Sequence, residues 1–116
     1  MGRLTTHVLD TAHGCPAAEV TVSLYAEHGD IPLVVAMTNA DGRLDAPLLE
    51  GAALKAGRYK LAFEIGHYFR EKGVLMPSDT SFFEVVEVSF GIADDGAHYH
   101  VPLLVSPYGY TTYRGS

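Results

Sequence analysis

The chain has 116 residues, 47% of them hydrophobic, and 14 acidic against 8 basic residues give a formal charge of −6. This length suits a single domain, residues 1–116, with a core that needs neither metal nor disulfide. The acidic balance argues against nucleic-acid binding. The lone Cys15 cannot form an internal disulfide, and no apolar run approaches membrane-spanning length. We therefore expect a cytoplasmic protein without a membrane partner, although a removed targeting segment would leave no trace here.

The first half of the chain alternates in the short patterns typical of strands. Residues 3–10, RLTTHVLD, alternate in side-chain type and end in the turn-rich DTAHGCPA. Residues 20–25, VTVSLY, alternate cleanly and predict a second strand. Residues 33–38 predict a third, after the breaker pair Gly-Asp.

A turn follows the third predicted strand, in the segment TNADGR at residues 38–43. Gly42 accepts a positive φ, and the side chains of Asn39 and Asp41 can bond their own backbone. This chemistry predicts a tight turn, with Arg43 at the start of another short strand.

The second half continues the pattern around one short helix. Residues 58–65, RYKLAFEI, alternate as a strand, and 66–73, bounded by glycines, form the only helical turn. Further strands are predicted at 82–90 and 98–105, with a turn at 93–96. Seven or eight short strands without strand–helix alternation predict an all-β, antiparallel sandwich.

The last predicted strand carries two histidines on one face, because strand side chains alternate between faces. One face suits the core of the sandwich and holds Tyr99, Val101, Leu103 and Val105. The other face holds His98, His100, Pro102 and Leu104. Leucine is uncommon on the solvent-facing side of a strand, so we expect a second subunit to cover this face.

Imidazoles from the first and last strands are the candidates for acid–base chemistry: His7, His98 and His100. Neutral imidazole near pH 7 is the usual general base. Arg43 would supply a fixed cation for a developing oxyanion. If the tail folds over the same place, it would add Tyr113, Arg114 and Ser116.

These residues also allow other interpretations. His98 and His100 with a third histidine would make a zinc site with an open position, although no acidic partner for the imidazoles is evident. A single histidine is more often a surface or hydrogen-bonded residue than a catalytic one, and we assign that ordinary role to the histidines in predicted turns. Cys15 has no suggested base partner. A purely structural sandwich would leave the histidines and arginine unexplained.

Three segments resemble one known family. LTTHVLD (residues 4–10), TNADGR (38–43) and YHVPLLVSPYGYTTYRGS (99–116) are similar to the transthyretin-like 5-hydroxyisourate hydrolases. The likeness covers the chain from end to end. The closing Tyr-Arg-Gly-Ser, residues 113–116, is the distinguishing signature of that family.

The resemblance implies a transthyretin-like β-sandwich that forms a homotetramer, a dimer of dimers, with active sites in the channel between dimers. It implies hydrolysis of 5-hydroxyisourate, the product of urate oxidation, with no cofactor and no metal. The alternative within the same fold is a small-ligand carrier like transthyretin. Carriers lack the closing Tyr-Arg-Gly-Ser, so the signature favours the hydrolase.

The resemblance also assigns roles to individual residues of this chain. Catalytic roles fall on His7, Arg43, His100 and Ser116. Substrate binding falls on His7, Arg43, Tyr113 and Arg114. Supporting positions fall on His98 and Gly115. Which histidine is the general base stays open.

Overall fold

The computed structural model describes residues 1–116 and contains nine strands, one α-helix and one 3₁₀ turn. The strands are β1 (Arg3–Asp10), β2 (Cys15–Pro16), β3 (Thr21–Ala26), β4 (Val34–Met37), β5 (Leu49–Glu50), β6 (Gly57–Phe63), β7 (Val86–Ile92), β8 (His98–Ser106) and β9 (Gly109–Thr112). Helix α1 spans Ile65–Glu71, and the 3₁₀ turn spans Gly51–Ala53. No helix is long and apolar enough to cross a membrane.

The first sheet has the strand order β2-β1-β8-β9, with β5 paired to the start of β1. β1 and β8 run parallel along the whole of β1, and every other strand pair in the molecule is antiparallel. The hydroxyl of Thr6 reinforces this pairing by donating to the carbonyl oxygen of Val101 at 2.6 Å. The two ends of the chain therefore lie side by side in the middle of one sheet.

The second sheet has the order β4-β3-β6-β7 and packs against the first through a shared core. A cluster of 20 buried hydrophobic residues draws on both sheets and on α1. Among its largest fully buried side chains are Leu4, Leu24, Leu61, Phe63 and Phe69. Each such side chain contributes about 1.5–3 kcal/mol of burial free energy, and together they hold the sheets face to face.

Asp10, the last residue of β1, ties that strand to α1. Its side chain is 0% exposed, contacts the His13 ring and accepts a hydrogen bond from the Tyr68 hydroxyl at 2.8 Å. The backbone N–H groups of Ala12 and His13 also donate to it. Burial alone would raise the pKa of Asp10, but the hydrogen bonds from His13 and Tyr68 outweigh burial and hold the pKa below its ordinary value.

Most predicted elements are confirmed. The first strand has the predicted bounds, residues 3–10, and β3, β4, β6, β7, β8 and α1 begin and end within four residues of their predicted bounds. Strands β2 and β9 were not predicted, and the total is nine rather than seven or eight. The predicted core face of the last strand is buried, with Leu103 and Val105 at 0% exposure.

Two further expectations differ from the structure. No strand begins at Arg43; that residue makes an isolated bridge to His7, and the next strand is β5. Pro47 lies between them and lacks the N–H that a paired strand needs. The sandwich is also not wholly antiparallel, because β1 pairs with β8 in parallel. Strand patterns alone carry no information on which strands become neighbours.

Candidate active site

The outer face of the first sheet carries neighbouring side chains from β1 and β8. The parallel register sets up three pairs: Arg3 with His98, Thr5 with His100, and His7 with Pro102. Because strand side chains alternate, these residues lie on the face opposite the core. Pro102 is buried within the protomer and Leu104 is half-buried. The covering by a second subunit predicted for this face stays a prediction.

His100 is held at both its ring and its backbone. Its Nδ1 lies 2.8 Å from the Thr5 hydroxyl oxygen, and its carbonyl oxygen accepts the Gly115 N–H at 2.7 Å. A Cβ atom at Gly115 would lie only 2.6 Å from the Cδ2 atom of the imidazole. Glycine is therefore required where the tail crosses the ring.

The pKa of His100 lies below its ordinary value. Burial of the half-exposed ring is the largest cause, and the nearby charge of Arg43 and then of His7 act in the same direction. A lowered pKa keeps the imidazole neutral near pH 7. This is the state that accepts a proton from water.

Arg43 is positioned by a turn that contacts the edge of β1 between the residues paired with β5 and those paired with β2. The Asn39 side-chain oxygen accepts the backbone N–H groups of Asp41 and Arg43, at 2.9 and 3.2 Å. Gly42 has φ of +76°, and its carbonyl oxygen accepts the Val8 N–H at 2.7 Å. A Cβ atom at Gly42 would lie 2.3 Å from the Val8 carbonyl oxygen, so this close approach requires glycine.

The same turn fixes the ring of His7. The Nε2 atom of His7 lies 2.8 Å from the Asp41 carbonyl oxygen, which can only accept a hydrogen bond. Nε2 therefore carries the proton, and Nδ1 is the unprotonated nitrogen of the neutral ring. His7 and Arg43 face each other across an isolated antiparallel bridge.

A cavity of ≈ 560 Å³ opens on this face of the sheet. Its basic and imidazole side chains are Arg3, Arg43, His98 and His100. Thr5, Thr6 and Ser116 also line it, although the Thr6 side chain is buried on the core face, and one acid, Asp45, lies at its wall. In a chain of net charge −6, this local excess of cationic groups favours an anionic or carbonyl-rich ligand.

The predicted site residues divide between this cavity and its surroundings. Arg43, His98, His100 and Ser116 line it, whereas Tyr113 and Arg114 line a separate groove against β7. The Arg114 guanidinium stacks 4.3 Å from the Tyr99 ring centre and donates to the His98 carbonyl oxygen at 3.2 Å. His7 and Gly115 do not line the cavity themselves. Each forms a backbone bridge to a residue that does, His7 to Arg43 and Gly115 to His100. The substrate-binding roles of His7, Tyr113 and Arg114 stay predictions.

Several cavity residues were not singled out from the sequence, and two of them lie beside the histidines of β8. Arg3 and Thr5 lie on the same face of β1 as His7, so strand alternation carried a signal. That signal gains meaning only when β8 is known to be the parallel neighbour, because the register then puts Arg3 beside His98 and Thr5 beside His100.

The zinc hypothesis needs three ligands that converge on one point. No group of three or more His, Cys, Asp or Glu side chains has a geometry that could hold a metal ion. His98 and His100 share a face, but the Nε2 of the third candidate, His7, is bonded to the Asp41 carbonyl oxygen.

Comparison with known sequences places the chain in a family. Residues 4–115 match the model of the HIUase/Transthyretin family. A relative from Ralstonia nicotianae, a 5-hydroxyisourate hydrolase, is 56% identical over 118 residues, covering 100% of both chains. A 5-hydroxyisourate hydrolase from Rhizobium meliloti is 56% identical over 117 residues, covering 99% of this chain and 97% of that protein.

Solved structures share the fold over the whole chain. The 5-hydroxyisourate hydrolase of Klebsiella pneumoniae has a TM-score of 0.81 and 41% identity, covering 100% of this chain and 94% of that one. Transthyretin from Sparus aurata has a TM-score of 0.83 and 29% identity, covering 97% and 96%. An (S)-allantoin synthase has a TM-score of 0.90 and 42% identity over 99% of this chain, which spans only 44% of the synthase.

Proposed function

The chain belongs to the HIUase/Transthyretin family, and from that premise we propose that it hydrolyses 5-hydroxyisourate to 2-oxo-4-hydroxy-4-carboxy-5-ureidoimidazoline in urate degradation. The observation that carries this proposal is the convergence of His100, Arg43 and Ser116 on one cavity. The cavity volume of ≈ 560 Å³ lies within the ordinary range of small-molecule sites.

Water activation falls to His100. The neutral imidazole takes a proton from water as the water oxygen bonds to a carbonyl carbon of the six-membered ring. The ring C–N bond then breaks, and the imidazolium returns the proton to the departing nitrogen. The product acid ionises to a carboxylate. A general base of this kind contributes about 10²–10⁴-fold to the rate.

Arg43 stabilises the negative charge that grows on the carbonyl oxygen during attack. Its guanidinium carries fixed donors that suit the planar edge of the substrate ring better than an ammonium group does. The turn around Gly42 holds the Arg43 backbone against β1, so little reorganisation is needed at the moment of reaction. Ser116, which also lines the cavity, orients the water or the substrate.

A homotetramer, a dimer of dimers, is the assembly that we propose, with the cavity opening on a channel between dimers. Exposed aromatic side chains near the β8–β9 hairpin support a contact between copies, with Phe82 70% and Tyr108 76% exposed. Sedimentation analysis tests this assembly directly. The exposed free thiol of Cys15 supports the cytoplasm as the compartment.

A carrier function is the second candidate, because the fold is shared with transthyretin. A carrier site needs shape and apolar contacts, and this cavity is instead rich in basic and imidazole groups. These groups suit the stabilisation of charge in a reaction. The hydrolase is therefore the better supported function.

The test is the decay of 5-hydroxyisourate generated in situ by urate oxidase, followed by ultraviolet absorbance. We expect catalytic amounts of the protein to accelerate the decay, with and without a metal chelator. Loss of acceleration with the chelator would support the zinc-dependent alternative. No acceleration by folded protein would reject the hydrolase and leave the carrier.

A further inference from the structure

We propose that Thr5 is a positioning residue that selects the reactive tautomer of His100. The proposal rests on the hydrolase function above and assigns Nε2 of His100 as the nitrogen that receives the proton from water. Thr5 is held beside His100 by the parallel register of β1 and β8.

The two ring nitrogens of His100 have different surroundings. Nδ1 is engaged by the Thr5 hydroxyl oxygen at 2.8 Å. Nε2 makes no hydrogen bond within the protomer, and it is not among the buried, unpartnered polar atoms, which comprise only the Nε of Arg70. Nε2 is thus the ring nitrogen that solvent and substrate can reach.

A hydrogen bond at one ring nitrogen decides the state of the other. If Nδ1–H donates to the Thr5 oxygen, Nε2 has a lone pair and can act as a base. A free imidazole side chain prefers the opposite tautomer, with the proton on Nε2, and that form cannot take a proton from water through Nε2. The Thr5 oxygen offsets this preference by accepting from Nδ1.

The rest of the site supports the same assignment. Gly115 packs against the Cδ2 edge of the ring, and turning the ring over would give up the contact between Nδ1 and the Thr5 hydroxyl. The charged and titratable groups around His100 are Arg43 and His7 on one side, with His98, Arg3 and Asp45 also at the cavity. None of these groups contacts Nδ1, so Thr5 is its only partner.

The test compares Thr5→Val, Thr5→Ala and Thr5→Ser with Thr21→Val as the matched control. Thr21 lies half-buried in the other sheet, and its hydroxyl makes no hydrogen bond. Nitrogen-15 NMR of the His100 ring reports the tautomer directly, and the 5-hydroxyisourate assay reports kcat and KM. Circular dichroism checks the fold, and Thr5→Ala replaces Thr5→Val if the latter does not fold.

We expect Thr5→Val to move the proton of neutral His100 to Nε2 and to lower kcat about tenfold or more, with KM changed less than about twofold. Thr5→Ser should retain the Nδ1–H form and most of kcat, and Thr21→Val should match the wild type. An Nε2–H tautomer in the wild type, or a full kcat in Thr5→Val, would overturn the proposal. If the wild type does not turn over 5-hydroxyisourate, the hydrolase function is rejected. The NMR comparison still tests whether Thr5 sets the tautomer of His100.

Discussion

His100 lies where the two ends of the chain meet, with Thr5 bonded to its ring and Gly115 bonded to its carbonyl oxygen. Burial and the neighbouring charges lower its pKa from the ordinary value of 6.5. The same surroundings that orient the ring thus also keep it in its basic, neutral form near pH 7.

The pH dependence of kcat/KM follows from this lowered pKa. In the proposed mechanism the reaction requires neutral His100, so activity should fall in acid with a midpoint below the ordinary imidazole pKa of 6.5. The measurement is the enzymatic rate from pH 5 to 8, corrected for spontaneous decay. Arg43→Gln should be slow but should show a higher midpoint, because the charge that opposes protonation is gone. A wild-type midpoint at or above 6.5 would contradict this account.

At the scale of single residues, the sequence could predict the functional groups but not all of their partners. The family motifs carry His100, Arg43 and Ser116, and the structure brings these three to one cavity. Thr5 remained hidden because its role depends on a contact across 95 positions of the chain. No local pattern encodes such a contact.

Two segments outside the strands bring residues of the candidate site to the first sheet. The turn at residues 39–43 brings Arg43 to the edge of β1, and the tail after β9 brings Ser116 to β8. Each segment contacts the sheet at a glycine, Gly42 or Gly115, at a place without room for a side chain. The placement of the proposed catalytic groups therefore depends on two backbone contacts.

Gly42→Ala should damage both stability and activity. The residue has φ of +76°, and the new Cβ would lie 2.3 Å from the Val8 carbonyl oxygen, so the turn must leave the β1 edge. We expect the free energy of unfolding to fall by about 1–3 kcal/mol, and kcat to fall about tenfold or more because Arg43 is displaced.

Gly14→Ala is the matched control for this prediction. Gly14 also has a positive φ, +68°, but its added Cβ would meet nothing within 4 Å. We expect a loss of about 1–2 kcal/mol in unfolding free energy with unchanged kcat. Urea denaturation and the substrate assay measure both effects. Equal loss of activity in the two variants would contradict a specific role for the turn.

At the scale of the whole molecule, the parallel pairing of β1 and β8 links the active site to the core. The outer face of this pair holds the site, and its inner face holds Leu4, Val8, Val101 and Leu103. Asp10, at the end of β1, joins this strand pair to α1 by accepting a hydrogen bond from the Tyr68 hydroxyl. The sequence predicted the sandwich and its strands, because alternation is local. It could not predict the parallel pair, because that pairing joins two strands from opposite ends of the sequence and no local pattern records which strands become neighbours.

Asp10→Asn should destabilise the protein in a pH-dependent manner. The buried carboxylate has a lowered pKa, so its stabilising effect is present above the unfolded-state pKa of about 3.9 and is lost as the pH falls through the folded-state value. We expect a loss of about 1.5–3 kcal/mol at pH 7. Urea denaturation at fixed protomer concentration should show the wild-type and variant curves converging in acid. A constant difference down to pH 3 would contradict the assignment.

The most direct measurement compares the wild type, His100→Ala and Thr21→Val at equal, catalytic concentration in the decay of 5-hydroxyisourate. We expect many turnovers for the wild type and for Thr21→Val. We expect a loss of about 10² or more in His100→Ala, with the same circular dichroism and sedimentation. A folded His100→Ala variant that retains the wild-type rate would contradict the claim that this cavity carries the hydrolysis.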